Sequence, residues 1–120
     1  MLPLEYIYAR GKLGEAVELL VIGQGDVRER IAMASGPLFV LSLNDLPPEQ
    51  RKDWQWIVDE STKFGPCLHE DGSVWCGAVQ HTMRRVKRAT ASKIAQRIWS
   101  LYGEMNHIID SHKDSREHKA

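Results

Sequence analysis

The chain has 120 residues, of which 42% are hydrophobic and 27% charged, and its 16 Lys and Arg residues are balanced by 16 Asp and Glu residues. This length is typical of one domain, and this composition excludes a disordered chain. Zero net charge excludes the overall basic excess that is typical of dedicated nucleic-acid-binding proteins.

The cysteine count and the hydropathy pattern narrow the class of protein further. Two cysteines are too few for a disulfide framework. The first residues show no signal-peptide pattern, and no apolar stretch approaches the length of a membrane span. We therefore expect a cytoplasmic protein that has no membrane partner.

Apolar residues at steps of three and four predict helices along most of the chain. A short helix is predicted to begin at Leu4 and to end near Gly11. A second predicted helix covers Leu13–Val21 and ends at the glycines of residues 23–25.

A third predicted helix begins after Asp26, a suitable N-cap residue that forms a capping-box pattern with Glu29. Its apolar register continues across Pro37, so we predict one bent helix, or two coaxial halves, from Asp26 to about Ser42. The alternative is a buried strand over residues 37–41, because a short apolar run does not distinguish the two structures.

The middle of the chain combines a helix with a turn signal. A loop at residues 44–48 precedes a helix predicted over Glu49–Lys63, which the Phe64-Gly-Pro sequence ends. The Asp71-Gly72 turn that follows predicts either a short hairpin near residues 66–76 or a loop.

Two helices are predicted at the end of the chain, over Ser73–Lys87 and, with Thr90 as N-cap, over about Ala91–Asp110. The polar residues 111–120 have no apolar period and predict a flexible tail. Together the segments predict an all-α fold, a single compact domain over residues 1–110 with five to six helices.

The last two predicted helices carry the charge asymmetry of the chain. Residues 80–100 hold six basic residues and no acidic one: Arg84, Arg85, Lys87, Arg88, Lys93 and Arg97. A basic face can bind nucleic-acid phosphates, and two helices joined by a short turn permit a helix-turn-helix arrangement. The same charges suit an acidic protein surface, or form a solvated face that has no partner.

Four soft or borderline metal ligands lie within fifteen residues: Cys67, His69, Cys76 and His81. Zinc accepts two cysteines with two histidines, but the single residue between Cys67 and His69 departs from the usual spacing of ligand pairs. Cysteine is also commonly a small buried hydrophobic residue. We therefore predict no metal and no cofactor, and we keep a zinc-supported domain as the weaker alternative.

The chain contains no catalytic signature. It has no Gly-x-Ser-x-Gly elbow, no phosphate-binding loop and no dinucleotide-binding glycine motif, so we predict no catalytic residue and no enzyme. Trp54 and Trp56 lie about 200° apart on their predicted helix, so they cannot face the same core. With Trp54 buried, Trp56 is a candidate apolar anchor for a partner, and the alternative is a layered domain that buries both.

Three segments resemble small bacterial proteins of unassigned function: residues 46–54 (Leu-Pro-Pro-Glu-Gln-Arg-Lys-Asp-Trp), 64–66 (Phe-Gly-Pro) and 82–85 (Thr-Met-Arg-Arg). The resemblance implies a bacterial origin and no particular activity. We expect a non-enzymatic bacterial protein that binds another protein through its basic helical face, as an inhibitor, an immunity-type factor or an assembly subunit. Regulation of nucleic acid through the same two helices is the alternative.

Overall fold

A computed structural model describes the backbone of residues 2–119 and the side chains of residues 2–74 and 76–112. These residues form five α-helices and one two-stranded hairpin, and two 3₁₀ turns at residues 43–45 and 48–50 connect the second and third helices. The elements in chain order are α1 (Leu4–Ile22), α2 (Val27–Leu38), α3 (Arg51–Thr62), β1 (Cys67–Leu68), β2 (Val74–Cys76), α4 (Ala78–Arg85) and α5 (Arg88–Lys119). The predicted all-α domain with one short hairpin is confirmed.

Helix α5 lies at the centre of the fold. It packs against α1, α2 and α3, while α1 also packs against α2, and α4 packs against both α2 and α3. One stripe of α5 is fully buried and forms the middle of the core: Ala91, Ile94, Ile98, Leu101 and Met105. Full burial of one Leu, Ile or Met side chain stabilises the fold by roughly 1.5–3 kcal/mol relative to exposure, so this stripe fixes the position of α5.

Helix α1 is one continuous helix, so the predicted stop near Gly11 is wrong. A glycine inside a helix costs about 1 kcal/mol relative to alanine, which lowers the stability of a helix without ending it. The buried side chains Ala9, Leu13 and Ala16 compensate for this loss by holding α1 against its neighbours.

Helix α2 begins as predicted and ends earlier than predicted. The Asp26 side chain caps it by accepting a hydrogen bond from the backbone N–H of Arg28 at 2.8 Å. The helix ends at Leu38 rather than near Ser42, one residue after Pro37, and the Phe39 N–H at its C-cap donates to the Ser35 carbonyl. Residues 37–41 do not form the alternative strand either.

The hairpin replaces the beginning of the helix that was predicted from Ser73. Residues 74–76 pair with β1 instead, and α4 begins only at Ala78. The turn between the strands contains Gly72 at a φ of 88°, a left-handed conformation that glycine adopts without a steric penalty.

The two ends of α5 both extend beyond the prediction. The helix begins at Arg88, so Thr90 lies inside it and is not the N-cap. Its backbone stays helical through Lys119, past the predicted end near Asp110, whereas the flexibility of residues 111–120 stays a prediction. None of the helices that the structure describes combines the length and the apolar content that crossing a membrane requires.

Candidate binding surface

Three of the six basic residues predicted to form one face lie on α5, and they lie on different sides of it. Arg88 and Arg97 are nine residues apart, which at about 100° per residue places them on opposite sides of the helix. Arg88 Nε lies 3.5 Å from Asp26 Oδ2, beside α2. Arg97 Nη1 instead donates to Asp53 Oδ1 of α3 at 2.8 Å. Lys93 is exposed one turn before Arg97, on the α3 side.

Four of the basic residues gather at the turn between α4 and α5, where all are exposed: Arg84, Arg85, Lys87 and Arg88. Carboxylates share this corner of the molecule. Arg84 lines a cleft of about 380 Å³ together with Asp26 and Glu29. The corner is therefore mixed in charge rather than uniformly positive, and its carboxylates repel phosphate.

Asp26 is the central charge of this corner. Its carboxylate accepts a hydrogen bond from Arg28 Nη2 at 2.7 Å, and Arg28 Nη1 also donates to the Val86 carbonyl at 3.4 Å. The hydrogen bond from the Arg28 side chain holds the pKa of Asp26 well below its usual range, although desolvation of the carboxylate opposes this. Asp26 therefore stays ionised and offsets the charges of Arg28 and Arg88.

The predicted anchor Trp56 is half-buried and covered by a basic side chain. The Arg97 guanidinium lies 4.5 Å from the centre of the Trp56 ring. Trp54 lies in the core, as predicted, with its ring edge-on to Phe39 at 6.3 Å. Arg97 would have to leave the Trp56 indole and the Asp53 carboxylate before Trp56 could insert into a partner.

Among the tryptophans whose side chains the structure describes, Trp99 is the exposed one, at 62%. Its ring centre lies 6.2 Å from that of Tyr102. A Cβ added at Gly14 of α1 would lie 3.3 Å from Tyr102 Cε1, so Trp99 stands beside the line along which α1 and α5 meet. Trp99 was not among the predicted candidates, although a signal for it was present. It directly follows Ile98 and so lies about 100° away from the buried stripe.

Small side chains surround Trp99 on the helix surface. Ser92, Ala95 and Gly103 occupy positions seven and four residues before it and four residues after it. A Cβ added at Gly103 would meet no atom within 4 Å, so packing inside the protein does not require a glycine there. The indole therefore projects from a platform of small side chains, and another molecule can approach the helix closely there.

The flank of α1 beside this platform is apolar as well. Ile7 and Val21 lie two turns before and two turns after Gly14, on the same side of α1, and both are exposed. An ion pair between Arg10 and Asp110, at 3.9 Å, crosses from α1 to α5 near one end. We define the seam surface as Ile7, Gly14, Val21, Trp99, Tyr102 and Gly103.

The structure brings together only two of the four candidate zinc ligands. Cys67 and Cys76 oppose each other in the hairpin. The His81 ring lies apart, with Nδ1 2.8 Å from the Gly65 carbonyl oxygen, and His69 is exposed at the hairpin turn. Within the described residues, no three His, Cys, Asp or Glu side chains converge as metal ligands would.

The seam surface, the mixed corner at the α4–α5 turn and the cysteine pair are thus the features that could carry a function. The first two involve contacts between elements that are distant in the sequence, whereas the cysteine pair lies within one local hairpin. Comparison of the chain with protein-family models, with curated proteins and with solved structures finds no match.

Proposed function

We propose that this protein acts by binding another protein through the seam surface, with Trp99 as the apolar anchor. The observation that carries the proposal is the 62% exposure of Trp99 on a helix whose apolar stripe, about 100° away around the helix axis, is fully buried. Tryptophan is enriched among the few residues that dominate the binding energy of protein interfaces. The proposal keeps the contact with a protein that the sequence predicts, and it moves the apolar anchor from Trp56 to Trp99.

The area of Trp99 is large enough to matter for affinity. A tryptophan side chain can bury up to about 250 Å², and Trp99 leaves 62% of its surface open. A partner that covers the indole would remove roughly 150 Å² of mostly apolar surface from water, which is worth up to about 4 kcal/mol at about 25 cal/mol per Å². Even half of this value would make Trp99 a residue whose truncation measurably weakens binding.

One exposed cation, Arg88, lies on the same side of α5 as Trp99. Arg88 lies eleven residues before Trp99, which is about three turns along α5 and only about 20° around it. Lys93 lies on the α3 side of the helix instead, and Asp26 offsets the charge of Arg88. Such peripheral charges act mainly on the rate and the specificity of association, whereas the buried anchor supplies affinity. We therefore infer that the partner offers an apolar pocket for the Trp99 indole.

Nucleic-acid binding is the second candidate, and the four exposed cations at the α4–α5 turn favour it. The ionised Asp26 beside Arg88 counts against it, because a carboxylate repels phosphate. Fluorescence anisotropy of labelled DNA and RNA decides between the candidates. Binding that persists at physiological salt and fails when Arg84, Arg85, Lys87 and Arg88 are replaced by glutamine would favour nucleic acid.

Site-specific photo-crosslinking tests the proposed function. A photoreactive amino acid is placed at Gln96, one turn before Trp99 on the exposed side of α5, or at the control position Lys52, exposed on α3. In cells that produce the protein, we expect a discrete crosslinked protein from position 96 that is absent from position 52 and lost in the Trp99→Ala background. Equal crosslinking from both positions, or a crosslink that survives Trp99→Ala, would contradict the proposal.

A further inference from the structure

The hairpin brings the two cysteines of the chain face to face. Strands β1 and β2 pair antiparallel, and Cys67 is the direct partner of Cys76. The register shifts by one residue between this pair and the Leu68–Val74 pair, so β2 contains one extra residue at a bulge. Directly opposed residues in antiparallel strands have Cα atoms roughly 4.5–5.5 Å apart, which lies within the range that a disulfide spans.

The thiols are also close enough to interact. Both cysteines are free, Cys67 being half-buried and Cys76 buried. Desolvation raises the pKa of the Cys67 thiol, and a hydrogen bond with Cys76 raises it further, while the positive charges of Arg84 and Arg85 oppose the rise. As direct cross-strand partners, Cys67 and Cys76 place their side chains on the same side of the hairpin.

We propose that Cys67 and Cys76 form a reversible intramolecular disulfide, a redox modification site that is separate from the seam surface. The oxidant is a low-molecular-weight disulfide of the glutathione class. The thiolate of one cysteine attacks a sulfur of the oxidant, which forms a mixed disulfide and releases one thiolate as the leaving group. The thiolate of the other cysteine then attacks the protein sulfur of this mixed disulfide and releases the second small thiolate.

The electrons and protons balance over these two steps. The two protein thiols give up two electrons and two protons in total as the Cys67–Cys76 bond forms. The oxidant accepts them, and its sulfur–sulfur bond becomes two thiols. Disulfides in a reducing compartment are usually transient, so reversibility is consistent with the cytoplasmic location that the sequence predicts.

The bond would fasten the segment that leads into α4. Strand β2 ends at Cys76, and α4 begins two residues later at Ala78. A two-stranded hairpin is marginally stable by itself, so a covalent link across it restricts the connection between α3 and α4. Oxidation should therefore raise the melting temperature of the protein and leave its helix content unchanged.

Mass spectrometry of the intact protein tests the proposal. Reduced protein is equilibrated anaerobically with graded ratios of reduced to oxidised glutathione and then treated with N-ethylmaleimide. We expect the wild type to convert to a monomer that has lost two hydrogen atoms and carries no maleimide. The single variants Cys67→Ser and Cys76→Ser should stop at a mixed disulfide with glutathione or remain reduced. A wild type that stays doubly labelled, or that accumulates mixed disulfides or covalent dimers, would overturn the proposal.

A matched dithiol variant tests whether the pairing in the hairpin matters. The double variant Cys67→Ser/Leu68→Cys keeps two cysteines, but it turns one thiol to the opposite face because successive strand residues alternate. Leu68 is exposed, so its replacement leaves the core intact. We expect half oxidation of this variant to need a ratio of oxidised to reduced glutathione at least about tenfold higher than the wild type needs. Oxidation as easy as in the wild type would contradict the role of the Cys67–Cys76 register.

Discussion

Replacing Gly103 by alanine tests whether this glycine serves the fold or a partner. Gly103 lies inside α5, and a Cβ added there would meet no atom within 4 Å. Alanine in a helix interior is more stable than glycine by roughly 0.5–1 kcal/mol, because glycine loses more backbone entropy on folding. We therefore expect Gly103→Ala to raise the free energy of unfolding by this amount, and the melting temperature by roughly 2–5 °C for a domain of this size.

Urea and thermal unfolding, followed by circular dichroism, measure this effect, and Gly14→Ala is the matched control. A Cβ added at Gly14 would lie 3.3 Å from Tyr102 Cε1, so the same substitution meets a packed ring and should give a smaller gain or a loss. A Gly103→Ala variant no more stable than the wild type, or a Gly14→Ala variant that gains as much, would refute the distinction between open and packed glycines. If Gly103 serves a partner, its alanine variant should fold more stably and yet bind more weakly.

Three further experiments test individual contacts. Asp26→Asn keeps an N-cap side chain but removes its charge. Folding lowers the pKa of Asp26, so its ionised carboxylate stabilises the protein at pH values above the ordinary Asp pKa of about 3.9. This stabilisation is lost as the pH falls through the folded-state pKa. The free energies of unfolding of wild type and variant should therefore converge as the pH is lowered. A difference between them that stays constant down to low pH would contradict this. Thr82→Val removes the buried hydroxyl that accepts a hydrogen bond from the Phe64 N–H at 3.2 Å. The free energy of unfolding, measured in urea, should fall by roughly 1–3 kcal/mol. A loss below about 0.5 kcal/mol would argue against that hydrogen bond. A double-mutant cycle of Arg97→Gln and Asp53→Asn should give a coupling of roughly 0.2–1 kcal/mol that weakens with salt, and a coupling of zero would remove this tie between α5 and α3.

The parts of the fold that the sequence predicts well are those decided by local periodicity and capping. Ile94, Ile98, Leu101 and Met105 of α5 repeat at helical spacing, and all four side chains are buried. The Asp26 cap is also local, because the side chain bonds a backbone N–H two residues away. These features depend on neighbours within one or two turns, which the sequence displays directly.

The errors occur where contacts from elsewhere in the chain outweigh local preference. The stretch from Val74 has a helical apolar spacing, yet residues 74–76 form a strand because β1 is available as a partner across the Gly72 turn. Conversely, Gly11 suggested a helix end, but the buried side chains of α1 keep the helix continuous. Pairing with the neighbouring strand decides the first case, and burial against other helices decides the second.

The candidate site was harder to predict than the fold for the same reason. The separation of Arg88 from Arg97 follows from helix geometry, but their neutralisation depends on carboxylates in α2 and α3. Trp56 and Trp99 are both off the apolar stripe of their helices. Only the packing of α3 against α5 determines that Arg97 covers the first and leaves the second exposed.

The most direct test of the central claim is the affinity of the crosslinked partner for wild-type protein, Trp99→Ala and Arg97→Gln, measured by calorimetry at physiological salt. If the partner binds the seam surface, Trp99→Ala should raise the dissociation constant by roughly 30-fold or more, equivalent to at least about 2 kcal/mol. Arg97→Gln should change it by less than about threefold. Unchanged affinity in Trp99→Ala together with a large loss in Arg97→Gln would place the interface on the Trp56 side of α5 and contradict the claim.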